Sequence, residues 1–298
     1  MRRREFMTFA GGLAGAAVAP ALAAPALIPA RRFTIALPPD SGLEAVAAAF
    51  RRAAGDIPLH PVWLDQPAGA VREGAVDLAL LPLAALEPDC PGAGIIAGLP
   101  FGPGPEALAG WVGTQSGRRL WDAALAPAGL AVIPVAMLPA GRVLAPAGLD
   151  GLEAVAGVAV AAPGPTAWLW HRLGALESGA PAILDGWAEG VRGFGPRTCP
   201  VALLVGRGVP GGVRRSLERA ARSLPVARRE RPEAGRALSA ELMVAAGNAL
   251  PRLRREMVDR ADPVTRAILA DLLPLCGVED AVLADAWPWT GGPATPVA

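Results

Sequence analysis

Short apolar runs recur along the chain, each followed by a turn signal and then by apolar residues spaced three or four positions apart. Phe33 to Leu37 reads as a strand, "PPDSG" as a turn in which Asp40 or Ser41 caps a helix, and residues 43–54 as that helix, one face apolar. "LHPVWL" is a second strand, and a short helix around "GAVREG" leads into the run Leu78 to Leu83. Asp77 opens that run. A carboxylate is rarely buried without a partner, so Asp77 is expected at the exposed start of a strand, in a structural role, pairing or capping locally. Pro82 and "LPLAAL" then deliver a loop at the strand's other end. Strand, helix, strand, helix, strand is the alternation of a parallel sheet covered by helices. In such sheets ligands sit beyond the carboxyl ends of the strands, where loops meet helix N-termini.

The pattern continues with "LPFG" as a short strand ending in a turn, then helices over "PEALAGW" and "GRRLWDAALAPAG", the second closed by Gly129. "GLAVIPVAM" is a further strand. "LDGLEAVAGVAVAAPGPTAWLWHRLGALESG" repeats strand, Gly/Pro turn and helix, and "VALLVGRGVPGGVRRSLERAARS" does so once more before a helical tail to about Leu275. "GAGIIAG", rich in a residue that disfavours helices, is read as opening no helix. The final "TGGPATPVA" has the composition of a disordered end.

Composition changes this picture little. The 298 residues carry a formal net charge of +1, with no Tyr and no Lys, and this balance argues against nucleic acid as a partner. Charge is uneven, since residues 31–100 hold five Arg against eight acids and residues 201–260 thirteen Arg against six. The basic stretch reads as a solvated helix face. Cys90, Cys199 and Cys276 lack CxxC spacing, which leaves separate buried thiols or a single bridge. The N-terminus reads as an address: basic residues, a modest apolar run of small side chains, then Ala21-Leu22-Ala23 as a cleavage site. Arg3 and Arg4, followed by Phe6 and Met7, fit the twin-arginine pattern. Residues 1–23 are therefore expected to be a signal peptide, with a periplasmic or secreted chain from near Ala24.

"EGAVDLALLPLAAL", "LPFG", Trp111 through Gly117 to Leu120-Trp121, "AGLAVIP", "GLEAVAGVAVAAPG", "LWHRLGA" and "EGVRGFGP" occur in an order and spacing that resemble the solute-binding receptors of TRAP (tripartite ATP-independent periplasmic) transporters. The resemblance covers roughly residues 33 to 222, rests on order rather than on any strict motif, and marks the chain as a divergent member. It implies an α/β, two-lobed periplasmic-binding-protein-like fold of type II, each lobe a mostly parallel sheet covered by helices, the lobes joined by crossing strands. Lobe I would be residues 31–133 plus 203–289 with the C-terminal helices, lobe II residues 134–202, and 290–298 a tail. The function implied is capture of a small organic acid or similar metabolite in the cleft, for delivery to TRAP membrane subunits. No cofactor and no catalysis are implied.

The family's usual arginine, which pairs bidentately with a ligand carboxylate, is replaced here by Ala161, and its Glu-Trp before Gly-Pro by Phe194 ahead of Gly195-Pro196. Arg142 is the best substitute cation, followed by Arg197 and Arg192. Asp40, Ser41, Gly164 and Thr166 stand at strand-to-helix turns, where amides and the helix dipole favour an anion. Pro82, Phe101, Trp111, Trp168 and Phe194 complete the candidate pocket, although each aromatic also suits a core. Two alternatives stay open: a degenerate secreted scaffold that binds no solute, and a nucleotide-dependent enzyme using Val205 to Gly211, "VGRGVPG", which fits GxGxxG between strand and helix. His60 and His171 are isolated, and no P-loop, GxSxG or HExxH occurs.

Overall fold

The computed structural model describes residues 31–39, 41–139, 142–144, 151–176, 183–186, 191–192, 194, 198–224 and 239–276. The expected signal segment, Asp40, Arg197 and the C-terminal tail lie outside them. In chain order the strands are β1 (Phe33–Leu37), β2 (Leu59–Trp63), β3 (Leu78–Pro82), β4 (Ala131–Pro139), β5 (Arg142–Leu144), β6 (Val160–Ala161), β7 (Ile183–Gly186), β8 (Val191–Arg192) and β9 (Thr198–Val205). The helices are α1 (Glu44–Ala53), α2 (Pro67–Arg72), α3 (Pro91–Gly98), α4 (Pro105–Gly113), α5 (Gln115–Leu125), α6 (Gly164–Arg172), α7 (Gly211–Arg222), α8 (Ala240–Arg260) and α9 (Pro263–Leu272).

Two sheets result. The larger has the order β2-β1-β3-β9-β4, and the smaller β6-β7-β5-β8. β1 pairs in parallel with β2 and β3, while β9 is antiparallel to both β3 and β4, so four of the five strands share one direction and β9 alone is reversed. The smaller sheet follows the same plan, with β5 reversed against β7 and β8 and β6 parallel to β7. Each sheet is thus mostly unidirectional. The chain leaves the larger sheet at the end of β4, builds the smaller one, and returns on β9.

Strand alternation divides the core. Leu78 and Leu80 face one way with Ile35, Leu203 and Phe50, whereas Ala79 and Leu81 face the other with Ala202, Leu204 and Trp121. This is the period-two geometry of a strand buried on both faces. All eight residues of β9 are buried. The strand prolines lie on edge strands or near strand ends, where sheets tolerate them. Pro61 and Pro134 lie on the two edge strands. Pro200 lies one residue before Val201, the last β9 partner of β3, so only β4 flanks it there. The register slips between Pro134 and Ala136, a bulge that moves Met137 to the face opposite Ile133 and Val135.

Asp77 stands at the start of β3. Its Oδ2 accepts from the Thr34 amide at 2.9 Å and from the Thr34 hydroxyl at 3.1 Å, and its own amide donates to Thr34 Oγ1 at 3.0 Å. Its carbonyl accepts from the Gly206 amide at 2.8 Å. The carboxylate therefore ties the first residues of β1 and β3 together at the sheet edge away from the strands' carboxyl ends.

Three local expectations are corrected. "GAGIIAG" is helical, within α3, with seven of its eight residues buried. There glycine is selected by close packing, which overrides its poor propensity. "LPFG" forms a turn rather than a strand, and Phe101 adopts a left-handed φ of 52°. Ser41 does not cap α1, whose N-cap is Leu43 without a side-chain bond. Gly129 ends the α5 region as expected, with φ 67°. The three cysteines are free thiols, two of them buried. Burial pushes the Cys199 thiol up to about 12.

Candidate functional site

The carboxyl ends of β1, β2 and β3 place Leu37, Trp63 and Pro82 along one sheet edge. The turn after β1 holds Ser41, whose Oγ is buried and has no hydrogen-bond partner among the described residues. Trp63 is 56% exposed there. A buried hydroxyl without a partner costs stability, and such groups mark places where something else is bound or strain is stored.

Four of the expected site residues gather around α6. Phe101 and Phe194 form an edge-on pair with ring centroids 6.0 Å apart, and the Phe101 amide donates to the Phe194 carbonyl at 3.0 Å. Phe194 also packs on Trp170 at 4.5 Å. Thr166 is fully buried and its hydroxyl donates to the Gly98 carbonyl at 2.8 Å. Gly164 begins α6, with φ 42°.

This convergence depends on a backbone-to-backbone contact between α6 and α3. A Cβ at Gly164 would lie 2.5 Å from the Gly94 carbonyl oxygen, and one at Gly98 would lie 2.6 Å from the Pro163 carbonyl oxygen. Only glycine permits either approach. Into the same junction comes Glu87, at the end of a short turn after β3. Its Oε2 accepts from the Gly164 amide at 3.0 Å. Its carboxylate also occupies the space over Gly94, where a Cβ would come within 2.6 Å of Oε1. Burial pushes the Glu87 carboxyl above the ordinary carboxylate range, and the Gly164 amide offsets part of that rise. The anion expected at the start of α6 is thus supplied by the chain itself.

The other expected residues lie elsewhere. Trp111 is buried in α4, and its Nε1 donates to Asp271 Oδ2 on α9 at 3.0 Å, which makes it part of helix packing. Arg142 begins β5, opposite Gly186 and Arg192, and its side chain is outside the described set. Ala161 is exposed at the end of β6. Trp168, on α6, is 47% exposed. In "VGRGVPG", Gly206 packs against the start of β3, where a Cβ would meet the Asp77 carbonyl oxygen at 2.8 Å. The strand before it, β9, is antiparallel to both neighbours, whereas the dinucleotide fingerprint belongs to a parallel βαβ unit.

A cavity of about 710 Å³ opens beside this junction, between α3, α6, α8 and α9, with Glu87, Gly164 and Trp168 among its lining. Among the described residues no cluster of three or more His, Cys, Asp or Glu is placed to hold a metal. No helix among them is long and apolar enough to cross a membrane. Glu87, Gly94, Gly98 and Trp170 were not among the residues expected from sequence. A lone acid after a strand and glycines in an apolar run carry no signal of the partner they meet.

No protein-family model matches the chain, and no curated protein matches it. Its structure is similar to solved structures. One is a TRAP periplasmic solute-binding protein from Colwellia psychrerythraea with bound calcium and pyruvate (TM-score 0.68, 14% identity, 82% of this chain and 94% of that one). Another is a TRAP periplasmic solute-binding protein from Pseudoalteromonas atlantica with bound sodium and pyruvate (TM-score 0.67, 13% identity, 82% and 93%). A third is the periplasmic ectoine-binding protein of a TRAP transporter of Halomonas elongata (TM-score 0.58, 11% identity, 81% and 97%).

Proposed function

We propose that this chain, which has the fold of the TRAP periplasmic solute-binding proteins, is itself an exported solute receptor of that type. The observation that carries the reading is topological: the chain crosses from the β2-β1-β3-β9-β4 sheet into a second sheet after β4 and returns on the reversed β9. Two α/β bodies joined in this way close on a ligand by hinge motion, and contacts made by both favour the closed state. Residues 134–202 form the second lobe in this reading, and the N-terminal segment directs export. The unpartnered Ser41 hydroxyl at the carboxyl end of β1 supports a ligand contact there.

The reading is tested by thermal unfolding of the mature chain against a panel of carboxylates, amino acids and sugars. A ligand at one hundred times its Kd stabilises by about 2.7 kcal/mol, a clear rise in Tm. A panel that moves nothing overturns the receptor reading. A specific observation favours a second reading in that event. Phe101, Phe194, Trp170 and the Glu87–Gly164 contact fill the junction with the chain's own groups, as in a two-sheet scaffold that no longer binds solute.

A further inference from the structure

We propose that the cavity between α3, α6, α8 and α9 binds a small organic ammonium ion, with Glu87 as its counter-ion and Trp168 as its aromatic wall. This rests on the receptor reading and names its ligand class as cationic.

The other acids of the cavity are already engaged. Glu256 is bonded by Arg172 and by Arg252 Nε at 3.1 Å. Asp262 caps α9, accepting from the amides of Val264 and Thr265 at 2.9 and 3.1 Å and from the Thr265 hydroxyl at 2.6 Å. Glu87 differs. Its Oε2 takes the Gly164 amide, and no arginine or histidine among the described residues is paired with it. A half-buried carboxylate with a single amide partner retains acceptor capacity that a cation would use, and partial burial also raises its pKa.

The surroundings suit an ammonium with an apolar body. Pro91, Ile95 and Met257 line the cavity, and Trp168 contributes to it while remaining 47% exposed. Among aromatic side chains an indole face attracts a cation best. The volume of about 710 Å³ is that of a metabolite site. Arg260, His171 and Arg172 (itself bonded to Glu256) also line the cavity, so the cationic preference is placed at Glu87, where an organic anion would meet the carboxylate charge against charge.

The test is calorimetric titration of the full mature chain with butylammonium and tetramethylammonium chloride, with sodium butyrate as the anionic control. Binding of an ammonium salt and not of butyrate is expected. Glu87→Gln, which keeps an acceptor for Gly164, should weaken it about tenfold or more. Trp168→Leu, a change at a half-exposed position, should weaken it about two- to fivefold. Ammonium binding that is unaltered in both variants overturns the assignment. If no ammonium binds but some carboxylate, amino acid or sugar does, the cationic assignment falls and the receptor reading stands. If nothing binds, both fall.

Discussion

The Asp77 carboxylate binds both the amide and the hydroxyl of Thr34, 43 residues earlier in the chain. Two strands that are neighbours in the sheet are thereby fixed at their first residues. Removing the carboxylate leaves a part-buried amide without its acceptor. Asp77→Ala is expected to lower unfolding stability by about 2 kcal/mol, with Asp77→Asn, which retains one acceptor, losing less. Urea unfolding of the three chains provides the comparison.

Gly164 and Gly74 separate two uses of glycine. Both have positive φ, 42° and 76°, but a Cβ at Gly74 meets nothing within 4 Å, whereas one at Gly164 meets a carbonyl oxygen at 2.5 Å. Gly74→Ala should cost about 1 kcal/mol of backbone strain. Gly164→Ala must in addition push α6 from α3, so its loss should be clearly the larger, with faster proteolysis around α6. Equal losses would show that the two helices separate freely.

Glu87 makes stability depend on pH in a stated direction. Its carboxyl is raised chiefly by burial, so the folded chain holds that proton more tightly than the unfolded one. The linked stabilisation is fully present below the ordinary glutamate value of about 4.3 and is lost as the pH rises through the raised value. Glu87→Gln has no such proton. The stability of the natural chain minus that of the variant should therefore fall as the pH climbs from about 4 towards neutrality, which denaturant unfolding at several pH values will resolve.

Ser41 and Trp111 were expected together in one pocket and should behave differently. Ser41→Ala deletes a buried hydroxyl that has no partner among the described residues, so the ligand-free chain should lose no stability, and under the proposed receptor reading, with a solute contact at the carboxyl end of β1, affinity for that solute drops. Trp111→Phe deletes the bond to Asp271 and should cost about 1 kcal/mol with affinity untouched. Paired Tm and titration measurements distinguish the two.

What the sequence made legible was whatever local pattern determines. The runs at 33–37, 78–82 and 201–205 are strands because mainly apolar residues suit a sheet buried on both faces, the last strand beginning three residues earlier than its apolar run. Asp77 was placed at a strand's start because the apolar run begins directly after it. Illegible were features set by a distant partner. Trp111 looks like any pocket aromatic until Asp271, 160 residues away, receives its N–H. The α3 glycines discourage a helix locally, yet that helix forms because α5 and α6 press on it: a Cβ at Gly92 would lie 2.7 Å from that of Ala124. Glu87 showed no motif, because its role is defined by an amide 77 residues on.

The reversed strand β9 bears on how the protein is made. β3 and β4 are never neighbours; β9 lies between them and pairs with both, and it is synthesised after the whole second sheet. Until residue 205 has left the ribosome, β3 offers a bare apolar edge of the kind that recruits other chains, and closing so long a loop is slow. A nascent molecule therefore depends on being shielded until nearly its full length exists, and a truncation before Thr198 should yield aggregate rather than a smaller working body.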